Sequence, residues 1–404
     1  MASIRLLTFS TLYPNDARPN HGIFVENRLR HLIASQHARS IVVAPVPWFP
    51  SRSPWFGDWA RDTSVAPVEL RHGITVHHPR YPVIPKIGMS MAPYLLFRAT
   101  LPMLQRLLAL GQRIDAIDAH YLYPDGVAAV WLGRALGLPT VVTARGTDVN
   151  LIPQYTVPRA LIRRAIARAA ALIAVSAALK SELVALGAPG EKVTVLRNGV
   201  DIALFRPVDR SSARAALGLT RPTLLSVGHL IERKGHHRII EAMTRLPEFG
   251  LLIVGEGPQR DSLAALINRR GLADQVRLLG ARPHAELPSL YGAADILVLA
   301  SSREGWANVL LEAMACGTPV VASNTWGNPE VVRDAAAGLV ADENTPAGIV
   351  TAVRRLFEHL PERAATRAYA EQFSWDATTD GQLALFRSLC ALGRPTTQGV
   401  LNKI

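Results

Sequence analysis

The sequence predicts an α/β protein of two doubly wound units, and three observations carry that prediction. Short, continuous apolar runs recur along the 404 residues, separated by segments with helical spacing. Most runs in the second half end in Gly or Ser and feed directly into a helical pattern. Near the middle, Asn198-Gly199-Val200-Asp201 through Pro207 breaks the rhythm with turn residues, and the chain is long enough for a full core on each side.

In the first half, Ile4–Phe9 reads as a strand, followed by a loop rich in Pro and Asn and a helix over Phe24–Ala34. Ser40–Ala44, Ile117–His120, Leu138–Ala144, Ala171–Ser176 and Val193–Leu196 continue the strand series, which implies a parallel sheet covered on both faces. A second series runs through Thr223–Gly228, Gly250–Gly255, Val276–Gly280, Asp295–Ala300, Pro319–Ser323 and Ala337–Val340. An amphipathic helix is expected over Asp376–Leu392, and the residues after Gly393 read as a loose tail. The expected domains are therefore 1–200, 201–375 and a terminal segment, 376–404.

Composition narrows the class. Hydrophobic content of 49% and charged content of 19% describe a globular protein rather than a disordered one. No apolar run reaches bilayer-spanning length without a charge or proline, and the first ten residues are too short for a secretory apolar region. Two cysteines, Cys316 and Cys390, make no disulfide framework, so a reducing cytoplasm is expected. Of the net charge of +12, residues 1–200 hold +11 (22 Lys and Arg against 11 Asp and Glu). Such a bias attracts nucleic acid, an anionic lipid surface or a phosphate-bearing acceptor; a solvated arginine-rich surface would look the same.

The densest information lies in Ser302–Ser323. It reads as a strand end, a Glu-Gly loop, a short helix carrying Val309, Leu310 and Ala313 toward a core, and the next strand. Gly317 stands where a helix end needs positive φ, and Pro319 prevents continuation. Glu304 falls in the loop and Glu312 in the helix, so both carboxylates can face the carboxyl end of a sheet beside open backbone N–H groups. Carboxylates accept from sugar hydroxyls, and a helix start favours a phosphate.

This segment resembles the Glu-x7-Glu signature of the retaining glycosyltransferases of family 4, which share the two-domain GT-B fold. The resemblance implies two Rossmann-like domains facing a cleft, the first binding the acceptor and the second the nucleotide sugar, with the terminal helix crossing back onto the first. It gives Glu304 the donor-sugar hydroxyls and Glu312 the ribose. Gly305, Trp306, Ala307, Asn308 and Val309, which run into the helix, are expected to line the substrate.

Other loops join this picture. Gly228-His-Leu-Ile-Glu-Arg233-Lys234-Gly235 links a strand to a helix, and two adjacent cations there suit phosphate oxygens. It matches the family's Arg-Lys-Gly motif, which implies that Arg233 and Lys234 neutralise the leaving diphosphate. Gly255-Glu256-Gly257 begins like a dinucleotide fingerprint but lacks the third glycine, which argues against a nicotinamide enzyme. The resemblance puts Gly255 on the nucleotide side and Arg282 in a loop near the base. In the first half, Gly22 would let a helix start approach a phosphate. His120 matches a family histidine that contacts the donor sugar. Arg145-Gly-Thr-Asp148 departs from the family's usual His-Gly-Thr-Asp, so Arg145 either binds an acceptor phosphate or pairs with Asp148. Asn198 fits an interdomain motif.

The expected function is transfer of a sugar from a UDP- or GDP-sugar to a glycan or lipid-linked acceptor in envelope polysaccharide synthesis, with retention. His120, Glu304, Arg233 and Lys234 are the expected catalytic residues; Gly22, Arg145, Asp148, Asn198, Gly228, Gly255, Arg282 and Glu312 bind substrate. No cofactor, metal site or nucleic-acid partner is expected. Trp48-Phe49-Pro50 with Trp55-Phe56 and Trp59, the apolar stretch Met89–Leu110 and the arginines of Pro158–Arg168 could together rest on the inner face of an anionic membrane or grip a lipid-linked acceptor. Core packing with a solvated helix is the plainer alternative. A nucleotide-sugar epimerase of the same fold, a glycan phosphorylase with a pyridoxal-bearing lysine, and a non-catalytic binder of anionic glycans are the rival readings.

Overall fold

The structure, a computed structural model, describes residues 3–19, 21–49, 51, 53, 62–83 and 88–392. The chain divides into two compact units, Met1–Arg197 with Asp376–Ile404, and Asn198–Trp375.

The first unit is built on an eight-stranded sheet. Its strands are β1 (Ile4–Phe9), β2 (Ala38–Val43), β4 (Val68–Arg71), β5 (Ile74–His77), β7 (Ala116–His120), β8 (Thr140–Ala144), β9 (Ala171–Ala174) and β10 (Val193–Val195). Their order is β10-β9-β8-β7-β1-β2-β5-β4. The expectation of a wholly parallel sheet is corrected at one edge, where β4 runs antiparallel to β5. The hairpin turn between them holds His72 and Gly73, both at positive φ, the backbone a tight two-residue turn requires. A separate parallel pair joins β3 (Val46–Trp48) to β6 (Arg80–Pro82). The central strands are buried almost throughout because helices cover both faces, and the few polar residues among them include Asp118 and His120.

The helix Trp375–Leu392 belongs to this unit over most of its length. Its Leu383 and Phe386 enter the same core as Ile4, Leu6, Val141 and Ile173. At Gly381 the helix packs closely on this core: a Cβ would stand 2.4 Å from a Leu196 methyl and would displace that side chain.

The second unit is a six-stranded parallel sheet of β11 (Thr223–Val227), β12 (Gly250–Val254), β13 (Val276–Leu278), β14 (Ile296–Leu299), β15 (Val320–Ser323) and β16 (Gly338–Ala341). The order β13-β12-β11-β14-β15-β16 reverses between β11 and β14. A doubly wound sheet opens a crevice outside its strand ends at such a reversal, and ligands sit there. Among the described residues no helix is long and apolar enough to cross a membrane.

Candidate active site

The two loops at that reversal are those the sequence singles out. The loop after β11 ends in a single 3-10 turn over Glu232–Lys234, then Gly235 at φ 72 opens the helix His236–Met243. Only glycine fits there: a Cβ would lie 2.1 Å from the Ala300 carbonyl oxygen. This close approach sets the β11 loop against the loop after β14, and Ser302 N donates to the Arg233 carbonyl at 2.8 Å.

Across that seam lies a buried ion cluster. Lys234 Nζ donates to Glu304 Oε1 at 2.5 Å, and Ser301 Oγ donates to the same oxygen at 2.8 Å. Arg233 Nη1 lies 3.8 Å from Glu304 Oε2 and donates to the Arg303 carbonyl at 3.0 Å. Burial alone would push the Glu304 carboxyl up, but Lys234 first and Arg233 second overcome it and hold it below its usual range. Among the described residues nothing hydrogen-bonds Oε2, so its lone pairs are available to a hydroxyl donor.

Glu312 stands on the helix Asn308–Ala315. Its Oε2 accepts from the buried Tyr291 hydroxyl at 2.8 Å, and its Oε1 lies 3.4 Å from His284 Nε2. Burial works against the His284 proton, yet the bond to Glu312 prevails and raises its pKa. Tyr291 and His284 carry no spacing signal in the sequence; only the fold brings them to Glu312. In the same helix the core positions are Leu310, Leu311, Ala313 and Met314, while Val309 is half-buried. That corrects its expected place in the core: with Leu310 and Leu311 inward, Val309 falls on the flank of the buried stripe. The N-cap residue Ala307 has no capping side chain; Leu310 N donates to the Ala307 carbonyl at 3.1 Å, and among the described residues the N–H groups of Asn308 and Val309 remain open.

Around this centre, Trp306 is buried and donates from Nε1 to the Asn198 carbonyl at 3.0 Å, and the Asn198 amide donates to Asn308 Oδ1 at 3.2 Å. Asn198 therefore braces the Gly305–Ala307 loop. Gly228 N donates to the Val254 carbonyl, and Gly255 N to the Gly280 carbonyl, both at 2.9 Å. Gly255 is forced by packing, because a Cβ would sit 1.9 Å from the Gly228 carbonyl oxygen. Arg282 stands apart on the surface, 3.8 Å from Glu286.

In the first unit the sheet order reverses between β7 and β1, and a polar cluster is buried at that end. His120 is 1% exposed, with Nε2 3.4 Å from Asp118 Oδ2. Arg145 Nη2 lies 2.8 Å from His120 Nδ1. A guanidinium only donates, so Nδ1 accepts and the proton resides on Nε2. Burial, with Arg145 adding to it against Asp118, lowers the His120 pKa to about 4. Both ring nitrogens thus face protein partners.

Arg145 makes a contact that the sequence did not offer. Its guanidinium holds His120 and lies 5.1 Å over the Phe24 ring. Asp148 instead accepts backbone N–H groups of Leu122 at 2.6 Å, Gly146 at 2.7 Å and Arg145 at 3.1 Å, which pins the turns after β7 and β8. Arg28, fully buried, donates to the Leu196 carbonyl at 3.1 Å. Asp125 accepts from Thr11 N at 2.8 Å and Ser10 Oγ at 3.2 Å, and burial pushes its pKa up to about 7. Gly22 precedes the helix Ile23–Ala34 at φ 69, where a Cβ would meet the Leu12 carbonyl oxygen at 2.3 Å. Of the aromatic segment, Trp48 is exposed at the end of β3; Pro50, Trp55, Phe56 and Trp59 lie outside the described residues.

Two Rossmann-like units, the second with its carboxylate gripped by adjacent cations at the strand reversal, define the GT-B class. The comparisons agree. Residues 22–204 match the family described as Glycosyltransferase Family 4, and residues 208–373 match Glycosyl transferases group 1. A D-inositol 3-phosphate glycosyltransferase 1 from Catenulispora acidiphila is 32% identical over 358 residues, spanning 81% of this chain and 84% of that protein. A D-inositol 3-phosphate glycosyltransferase from Segniliparus rotundus is 37% identical over 213 residues, spanning 49% of this chain and about half (47%) of that protein. Among solved structures, sucrose-phosphate synthase from Thermosynechococcus elongatus superposes with a TM-score of 0.76 at 20% identity, covering 96% of this chain and 100% of that one. Anabaena HepE in complex with UDP gives 0.72 at 21% identity, with the same coverage. The chain belongs to the group 1 glycosyltransferases, family 4.

Proposed function

We propose that the chain transfers a hexosyl unit, with retention, from a nucleotide-diphosphate sugar held in the second unit to a hydroxyl of an acceptor bound by the first. The observation that carries this reading is the Glu304 carboxylate, one oxygen bound by Lys234 and Ser301 and the other open toward Arg233. The open oxygen suits a sugar hydroxyl. The two cations supply the charge that a departing diphosphate needs, in a water-poor site where fixed charges act strongly. Glu312, steadied by Tyr291 and His284, takes the ribose.

The relatives named as D-inositol 3-phosphate glycosyltransferases and the HepE complex with UDP support a UDP-sugar donor and a phosphorylated or polyhydroxylated acceptor. A glycan or lipid-linked acceptor in envelope synthesis fits the basic first half. Met89, Met91 and Tyr94 at one helix start, and Tyr155 and Val157 at another, are exposed and would lie against an anionic membrane. An epimerase would convert donor without acceptor, so product analysis separates it. A thermal-shift panel of nucleotide sugars tests the donor site. At least one donor should stabilise the wild type, and Glu312→Ala and Arg233→Ala should both lose that stabilisation; undiminished shifts in both would remove the site.

A further inference from the structure

The loop that follows β15 contains a feature that the donor reading does not use. Trp326 is held at φ 50, a left-handed conformation that favours glycine and disfavours a bulky L residue. Such strain persists only where surrounding contacts impose it. The segment on either side of it is braced: Ser323 Oγ donates to the Ser301 carbonyl at 2.7 Å, Asn328 Nδ2 to the Ser323 carbonyl at 3.2 Å, and Asn344 Nδ2 to the Ser301 carbonyl at 3.1 Å. Asn328 N closes the turn onto the Thr325 carbonyl at 3.0 Å. The indole itself is only half-buried, and among the described residues its N–H has no hydrogen-bond partner and its ring no aromatic neighbour.

Sheet order says which part of a bound nucleotide sugar this loop would meet. Glu312 is tied to His284, which follows β13 at one edge of the sheet. Glu304 is tied to the β11 loop, and its neighbour Ser301 is stitched to Ser323 at the end of β15, on the other side of β14. With ribose at Glu312 and the transferred sugar at Glu304, the β15 loop lies on the sugar's side and away from the nucleoside. The C–H face of a pyranose is apolar and slightly positive, and an indole face is apolar and negative. We infer that Trp326 is a specificity-determining residue, a strained aromatic platform that receives the sugar ring of the donor. This rests on the donor-site reading above.

The test uses the full-length protein and calorimetric titration with three pairs: UDP and UDP-glucose, GDP and GDP-mannose, ADP and ADP-glucose. The pair that the wild type binds most tightly is then titrated into Trp326→Gly and Trp326→Phe. The glycine variant relieves the backbone and should melt no lower than wild type. Its Kd for the nucleotide sugar should rise roughly 3- to 10-fold, the scale of one aromatic contact, while its Kd for the free diphosphate stays within about 2-fold. Trp326→Phe should recover most of the loss. An unchanged nucleotide-sugar Kd in the glycine variant, or an equal loss for sugar and free diphosphate, overturns the inference and leaves the donor site standing. A wild type that binds none of the pairs overturns the donor site, and the inference with it.

Discussion

Replacing Lys234 by methionine isolates the electrostatic centre of the second unit. Methionine keeps the apolar stem, which packs beside Gly228, and removes only the ammonium. The Glu304 side chain is 8% exposed and the Lys234 side chain 16%, so the ion pair is largely out of water. Breaking a buried pair by deleting one partner costs about 3–5 kcal/mol, because the other charge is left uncompensated. Ser301 still donates to Glu304 and Arg233 remains 3.8 Å away, which reduces the expected loss to about 2 kcal/mol at pH 7. The pH dependence gives the sign. In the wild type the Glu304 pKa is depressed, so its contribution is present above the ordinary value of 4.5 and is lost as pH falls through the folded value. In Lys234→Met the penalty should therefore begin to shrink as pH falls below about 4.5 and vanish only below the folded value, where the carboxyl is protonated in both states. Urea denaturation followed by tryptophan fluorescence at pH 7 and at pH 4 reads both effects. Adding Glu304→Gln to Lys234→Met should recover about 1 kcal/mol at pH 7. A loss below about 0.5 kcal/mol at pH 7, or one independent of pH, would refute the reasoning.

Four further outcomes follow from the geometry. Gly255→Ala should cost about 3 kcal/mol, from strain at φ 146 and the clash with the Gly228 carbonyl, read as a lowered melting temperature. Tyr291→Phe deletes a hydrogen bond to a carboxylate and should cost about 1.5–3 kcal/mol in urea titration. The His284 pKa, followed by NMR, should fall in Glu312→Gln; because it is raised in the folded wild type, its stabilisation is full below 6.5 and is lost as pH climbs through the folded value. His120 acts in the opposite sense. With its pKa near 4, stability should be lost as pH falls from 6.5 toward 4, and Arg145→Met should raise that pKa, since a neighbouring cation is removed.

The strand series of the second unit was legible because most of its parallel strands are continuous apolar runs closed by a small residue. The meeting of Lys234 with Glu304 was legible for the same reason: strand ends in a doubly wound sheet share one edge, so loops after neighbouring strands touch. The small strands of the first unit were less so. Val68-Glu-Leu-Arg and Ile74-Thr-Val-His are short and alternate with polar residues, and only Gly73 marked the hairpin between them. Val309 was misplaced because adjacent helical positions differ by about 100° and a single apolar residue cannot fix the phase. Arg145 was beyond reach, because its partner depends on two strand ends 25 residues apart and on Phe24 from another helix. Tyr291 and His284 likewise meet Glu312 only through the packing of separate elements.

The central claim is that the Arg233–Lys234 turn and the Glu304 loop receive the diphosphate of a nucleotide sugar. A crystal structure with the best-binding nucleoside diphosphate tests it most directly. The account predicts phosphate oxygens about 3 Å from the Arg233 guanidinium and the Lys234 ammonium, with a ribose hydroxyl on Glu312. Nucleotide density elsewhere on the unit, with both loops unoccupied, would contradict it.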